Sequence, residues 1–236
     1  MKQIEITPEI IQLTRLGLVN CFLVREDDGL TLVDTMIPGS ANRIIHTALS
    51  LNRPLRRILL THAHMDHVGS LDPLGLKLIG IEVAIGRRES RLLTRDFHTE
   101  PGEPANKVKG TFSKVETVPS VLLTDGEIYG SLQVIATPGH TPGHLSFLDT
   151  RSGTVIAGDA MTAVGGLRVS GDGPLIFPLA NFATWHKPTA VESARKLASL
   201  QPKKIVVGHG KPVLENATRV LTEAIRHAEE GVGNRA

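Results

Sequence analysis

The densest chemistry in the chain lies in Thr61-His62-Ala63-His64-Met65-Asp66-His67, directly after the apolar run Ile58-Leu59-Leu60. Three imidazoles and a carboxylate fall within positions 62–67. In an extended backbone, side chains at i and i+2 project to the same side. His62 and His64 can therefore hold one cation, while a turn at Asp66 and His67 aims a second pair at another. Neutral imidazole and carboxylate suit zinc, iron or manganese. Cys21 is the sole cysteine, which excludes a four-thiolate zinc site and an intrachain disulfide.

Further donors close later apolar runs. His140 sits in Thr137-Pro138-Gly139-His140-Thr141-Pro142-Gly143-His144, where proline and glycine fix a tight turn. Asp159 ends Val155-Ile156-Ala157-Gly158-Asp159; taken alone it reads as a cap or turn residue, and the other donors make it a ligand candidate. His209 stands between Gly208 and Gly210 at another such end. Asp34, after Thr31-Leu32-Val33, is either a strand-end cap or the acceptor that orients a ligand imidazole. His144 is expected to be buried and hydrogen-bonded. His46, His98, His186 and His227 are expected in solvated or capping roles, and Arg87, Arg88 and Arg91 on a solvated face. Trp185, Phe177 and Phe182 either line a pocket or pack in a core.

The elements that must position these groups follow from the patterning. Alternating runs at 9–15, 19–25 and 30–34 read as antiparallel strands, broken by Gly17 and Asp27-Asp28-Gly29. A helical pattern from Pro38 to about Asn52 and a strand at 57–61 complete a strand–helix–strand unit. A short strand and an arginine-bearing helix are expected over 82–95, and an irregular insertion or lid over about 96–118. Strands follow at 120–124, 132–136, 144–149 and 154–158. An irregular, glycine-rich stretch over 160–184 leads to a helix at about 187–200, a strand at 203–207 and a helix at about 213–229. The tail, about 230–236, is expected to fray. The layout repeats: Asp34, a helix, then His62 in the first half; Asp159, a helix, then His209 in the second. The expectation is a single domain over 1–236.

Composition narrows the classes. The 26 Lys and Arg against 24 Asp and Glu leave a net charge of +2, without the positive field of a general nucleic-acid binder. No apolar run reaches the roughly 18–20 residues of a membrane span. The start, MKQIEITPEI, lacks an export signal's apolar stretch. A cytoplasmic protein with a small-molecule substrate, no nucleic-acid partner and no membrane is expected; the oligomeric state is not legible.

As a set, HxHxDH, TPGHTPG, GD and GHG resemble the metallo-β-lactamase superfamily, specifically its glyoxalase II-like dinuclear hydrolases, over residues about 10–228. That resemblance implies an αββα sandwich, two mixed β-sheets flanked by helices. It assigns His62, His64 and His140 to one metal, Asp66, His67 and His209 to a second, and Asp159 as the bridge. It further implies two divalent ions, zinc before iron or manganese, held roughly 3.5–4 Å apart and sharing a water acidified to hydroxide, with Asp66 as the catalytic group that orients it.

The expected activity is hydrolysis of a small ester, thioester or lactone. The bridging Asp159 and the missing export signal argue against a secreted zinc β-lactamase. Ala160-Met161-Thr162-Ala163 stands where acyl-homoserine lactonases place a tyrosine, and no glutathione-binding helical segment follows the motif region. A mononuclear iron persulfide dioxygenase-like enzyme using His62, His140 and Asp159 is the alternative. A nucleic-acid processing nuclease ranks lower, since no clamp domain or basic arm is evident.

Overall fold

The computed structural model describes residues 1–173 and 179–233; Phe177 and the last three residues of the expected frayed tail lie outside the described residues. The chain forms two compact units: Met1–Asp96 with Thr111–Thr124, and Phe97–Gly110 with the chain from Asp125 onward.

In the first unit, β1 (Lys2–Glu5), β2 (Ile10–Arg15), β3 (Val19–Glu26) and β4 (Gly29–Val33) are successive antiparallel neighbours. The β2–β3 turn passes through Leu16 and Gly17, both at positive φ (53° and 71°), a geometry whose twist matches that of the strands it joins. After β4 the chain crosses through α1 (Ala41–Ser50), which buries Ala41, Ile44, Thr47 and Ala48 along one face. It returns as β5 (Leu55–Leu60), parallel to β4. Two short helices, α2 (Met65–Val68) and α3 (Leu71–Lys77), precede β6 (Glu82–Gly86), α4 (Ser90–Leu93) and β7 (Val121–Leu123). The sheet order is β1 to β7 in sequence, its last four strands parallel. Leu30, Leu32 and Val33 of β4 and Ile58, Leu59 and Leu60 of β5 are fully buried, as the continuous apolar runs of parallel strands require. Loops at the carboxyl ends of parallel strands are where such sheets place ligands. Asp34 follows β4 and His62 follows β5.

Residues 97–118 contain no helix or strand. The insertion is divided, however: 97–110 pack with the second unit and 111–118 with the first.

The second unit carries β8 (Ile128–Tyr129), β9 (Leu132–Ala136), β10 (Leu145–Asp149), β11 (Thr154–Ile156), the ribbon β12 (Met161–Thr162) and β13 (Arg168–Val169), α5 (Leu179–Ala183), α6 (Lys187–Ser199), β14 (Lys204–Val206) and α7 (Ala217–Gly233). Its main sheet runs β14-β11-β10-β9-β8, with only the β14–β11 pair parallel. Ala190, Val191, Ala194 and Leu197 of α6 and Leu221, Ala224, Ile225 and Ala228 of α7 share one apolar core with Val155, Ile205 and Val207. The last helix starts at Ala217, later than the expected 213, because Val213 exchanges backbone hydrogen bonds with Ile205 (2.9 and 2.8 Å) and is held as extended chain. Among the described residues, no helix is long and apolar enough to cross a membrane.

Asp72 in α3 fastens the insertion's second part to the first unit. Its carboxylate accepts from the backbone N–H of Glu116 (3.0 Å) and from the N–H and hydroxyl of Thr117 (2.8 and 2.7 Å). Partial burial acts to raise its pKa, but the Thr117 hydroxyl and the two N–H groups outweigh it and hold the carboxyl below its ordinary range. A depressed folded-state pKa contributes stability above the unfolded value, about 3.9, and loses it as pH falls through the folded value. Asp72→Asn is therefore expected to cost about 1 kcal/mol at pH 7 and less at pH 3, read by urea unfolding at both. An undiminished cost at pH 3 contradicts the charge-assisted tie.

Candidate metal centre

In the first unit, the backbone at His64 is extended (φ −66°, ψ 148°), so His62 and His64 project together as their spacing predicts. His62 Nε2 lies 3.1 Å from His64 Nδ1, and the rings of His62 and His67 stand 4.0 Å apart. All three histidines are buried. His67 comes from the single turn of α2 and is oriented from behind: Asp34 Oδ2 accepts from its Nδ1 at 2.7 Å. The same fully buried Asp34 accepts from the Thr61 N–H and hydroxyl, both at 2.8 Å, and adopts φ +62°. Of the two roles open to Asp34 in the sequence, it therefore takes the imidazole-orienting one. Asp66 stands further out, with its side chain 33% exposed and Oδ2 4.0 Å from His67 Nε2.

Residues 111 and 112 brace this loop, a contribution that the lid reading missed. The Thr111 carbonyl accepts from the Met65 N–H (2.9 Å), and the Phe112 ring packs edge-on to His64 at 4.8 Å. Neither contact leaves a sequence signal, because each spans more than 45 residues.

In the second unit, Asp159 lies in a 3₁₀ turn over Gly158–Ala160, just past the end of β11. Its Oδ2 is 3.4 Å from His140 Nε2 and 3.2 Å from His209 Nε2, so one carboxylate oxygen faces both imidazoles. His140 Nδ1 is bonded to Ser170 Oγ (2.9 Å), which contacts Thr184 Oγ1 (2.8 Å). The His140 carbonyl accepts from the Trp185 N–H (2.9 Å), and the Trp185 indole N–H donates to the Asn106 carbonyl (2.8 Å). Trp185 is thus a buried clamp between the His140 turn and segment 97–110, while Phe182 is 74% exposed. Two glycines let these turns pack. A Cβ on Gly139 (φ +135°) would meet the Ala190 backbone at 2.4 Å, and one on Gly210 (φ +105°) would meet the Ala163 backbone at 2.4 Å.

His144 is buried and hydrogen-bonded, as expected. Its Nε2 accepts from the Asp159 N–H (3.0 Å) and its Nδ1 faces Thr137 Oγ1 (2.9 Å). Nε2 thereby holds the Asp159 backbone, while Thr137 fixes the ring through Nδ1. Burial, with the nearby Asp34 charge, pushes the Cys21 thiol well above its ordinary range, so Cys21 is a packing residue. Arg91 pairs with Asp96 at 2.7 Å and Arg87 is exposed.

The donor chemistry of each unit fits a divalent cation. Two ligands at 2.0–2.1 Å from a tetrahedral ion stand about 3.3 Å apart, and the separations within the units are 3.1, 3.2 and 3.4 Å. Lone pairs converging at such distances in a buried setting require a cation or proton among them. With Nδ1 of His67 and His140 engaged, Nε2 is the nitrogen that could hold an ion, the usual arrangement for metal-binding histidine.

Residues 14–209 match the family model for the metallo-beta-lactamase superfamily, and the chain belongs to that superfamily. It is 48% identical over 214 residues to the uncharacterized protein YobT of Bacillus subtilis strain 168, covering 90% of this chain and 91% of the relative. To the hydroxyacylglutathione hydrolase GloC of Haemophilus influenzae it is 30% identical over 200 residues, covering 81% and 85%. Among solved structures, a metallo-beta-lactamase from Pontibacter korlensis superposes with a TM-score of 0.70 at 16% identity, covering 97% of this chain and 98% of that one. TTHA1623, solved in a di-iron-bound form, gives 0.66 at 24% identity, covering 90% and 96%. The fold is the metallo-β-lactamase fold, with mixed sheets and flanking helices as expected.

Ser170→Ala removes the oxygen at His140 Nδ1 without opening a large cavity. Zinc affinity measured by chelator competition is expected to fall about 10–100-fold. Unchanged affinity would remove Ser170 from the orientation of His140.

Proposed function

We propose that this protein is a metal-dependent hydrolase of a small ester, thioester or lactone, with His62, His64, Asp66, His67, His140, Asp159 and His209 together holding two divalent ions. The observation that carries this reading is the ligand-like convergence within each unit: His62 with His64, and Asp159 Oδ2 with both His140 and His209. Superfamily membership supports a metal-dependent hydrolase. Held by these residues, two such ions would supply an acidified water and the charge that stabilises the scissile carbonyl and the leaving group. Asp159 Oδ2, which faces both His140 and His209, would be an oxygen donor. Asp34 and Ser170 fix the ring orientations of His67 and His140, which keeps the donors arranged before substrate arrives. Asp66, the most exposed of the donors in its loop, is placed to orient a nucleophile and carry a proton to the leaving group.

GloC acts on hydroxyacylglutathione, an acyl thioester, and its similarity over most of both chains supports an acyl-group substrate. Zinc is the metal we favour for this donor set, with iron and manganese as the alternatives to be measured. The lone Cys21 and balanced charge support a cytoplasmic setting and a small-molecule partner.

Elemental analysis of protein purified without added metal, joined to a panel of lactones, thioesters, phosphodiesters and β-lactams, tests the reading. About two equivalents of metal and turnover of an acyl substrate are expected. One equivalent of iron with oxygen consumption on glutathione persulfide would replace it with the dioxygenase reading. Asp159→Asn is expected to lower both metal content and turnover, the latter at least about 100-fold. Parental values for both would exclude Asp159 from the centre.

A further inference from the structure

We propose that Glu89 is a positioning residue for the metal-binding pair His62 and His64, an inference that rests on the metal-centre reading above. Glu89 follows β6, the parallel neighbour of β5, and directly precedes α4. A polar residue in that place usually caps its own helix, but the Glu89 side chain makes no such bond. It is fully buried, and its Oε1 accepts from the backbone N–H of Ala63 at 2.9 Å. Ala63 lies between the two histidines.

Burying a carboxylate is costly, and a site retains one where its partner's orientation matters. An amide N–H within a metal-binding turn is such a partner. Held on Glu89, the Ala63 peptide cannot rotate, and the extended run from His62 to His64 keeps both rings on one side with their nitrogens 3.1 Å apart. Without the acceptor, the Ala63 N–H would seek another partner and the peptide would turn. Since i and i+2 share a face only in extended chain, that rotation would separate the two donors. The bond runs from the loop after β6 to the loop after β5, so the parallel pairing of these strands sets the spacing across which it acts.

The test compares Glu89→Ala, Glu89→Gln and Glu89→Asp with the parent, using Zn²⁺ affinity by chelator competition, the visible spectrum of the Co²⁺-loaded protein, and circular dichroism of the metal-free protein. Glu89→Ala is expected to weaken Zn²⁺ about 10–100-fold and shift the Co²⁺ bands, while Glu89→Gln, which keeps an acceptor oxygen, restores both to within about threefold. A folded Glu89→Ala with parental affinity and spectrum overturns the proposal, as does a Glu89→Gln no better than Glu89→Ala. Should Glu89→Ala fail to fold, Glu89→Asp, too short to reach Ala63, is judged by the same criteria. A parent that binds neither metal overturns the metal-centre reading itself, an outcome distinct from equal binding by parent and variant.

Discussion

A single buried carboxylate organises the first unit. Asp34 takes in the Thr61 N–H, the Thr61 hydroxyl and the Nδ1 of His67, so the ends of β4 and β5 and the turn of α2 are tied to one side chain. Its positive φ is a strained conformation for a residue with a Cβ, and three hydrogen bonds offset that strain. Two of those bonds fix where the histidine run begins, and the third fixes the ring that ends it. The apolar parallel strands beneath make the arrangement rigid, because neither β4 nor β5 can slide without breaking ladder bonds and exposing buried leucine and isoleucine.

The second unit solves the same problem by close packing. Asp159 is held through its backbone by His144, which leaves its carboxylate to face His140 and His209. The turns bearing those histidines lie so close to α6 and to residue 163 that only glycine fits at 139 and 210. Trp185 extends the constraint, bonding the His140 carbonyl with its backbone and the Asn106 carbonyl with its indole. Segment 97–110 is therefore fastened beside the turn that carries His140.

In both units, support reaches a clustered imidazole through its Nδ1. His67 and His140 are engaged at Nδ1, by a carboxylate in one case and a hydroxyl chain in the other. Rings fixed in this way would lose little further freedom on binding a cation, so the scaffold's folding energy would support the affinity of the proposed site.

Much of this was legible in the residues. Histidine is scarce, so its density at 62–67, and the repeated pattern of apolar run followed by Asp or His, marked the donors before any contact was known. The main strands and the helices α1 and α6 announced themselves by period 2 and period 3.6. The short helices α2 and α3 did not, since four and seven residues interrupted by Pro73 and Gly75 carry too few apolar positions to show a period. The later start of α7 depended on Val213 pairing with Ile205, a choice local propensity does not encode.

The sequence by itself determined which atoms are available to bind a cation and which runs must be buried, because both are properties of side-chain type and spacing. Only the tertiary structure decided what holds those atoms: that Asp34 orients His67 rather than capping its strand, that Ser170 stands behind His140, that Glu89 belongs to Ala63 rather than to its own helix. Each is a hydrogen bond between groups 26 to 33 residues apart, set by strand pairing and turn geometry. A directional contact a few ångströms long exists only after the chain has closed upon itself.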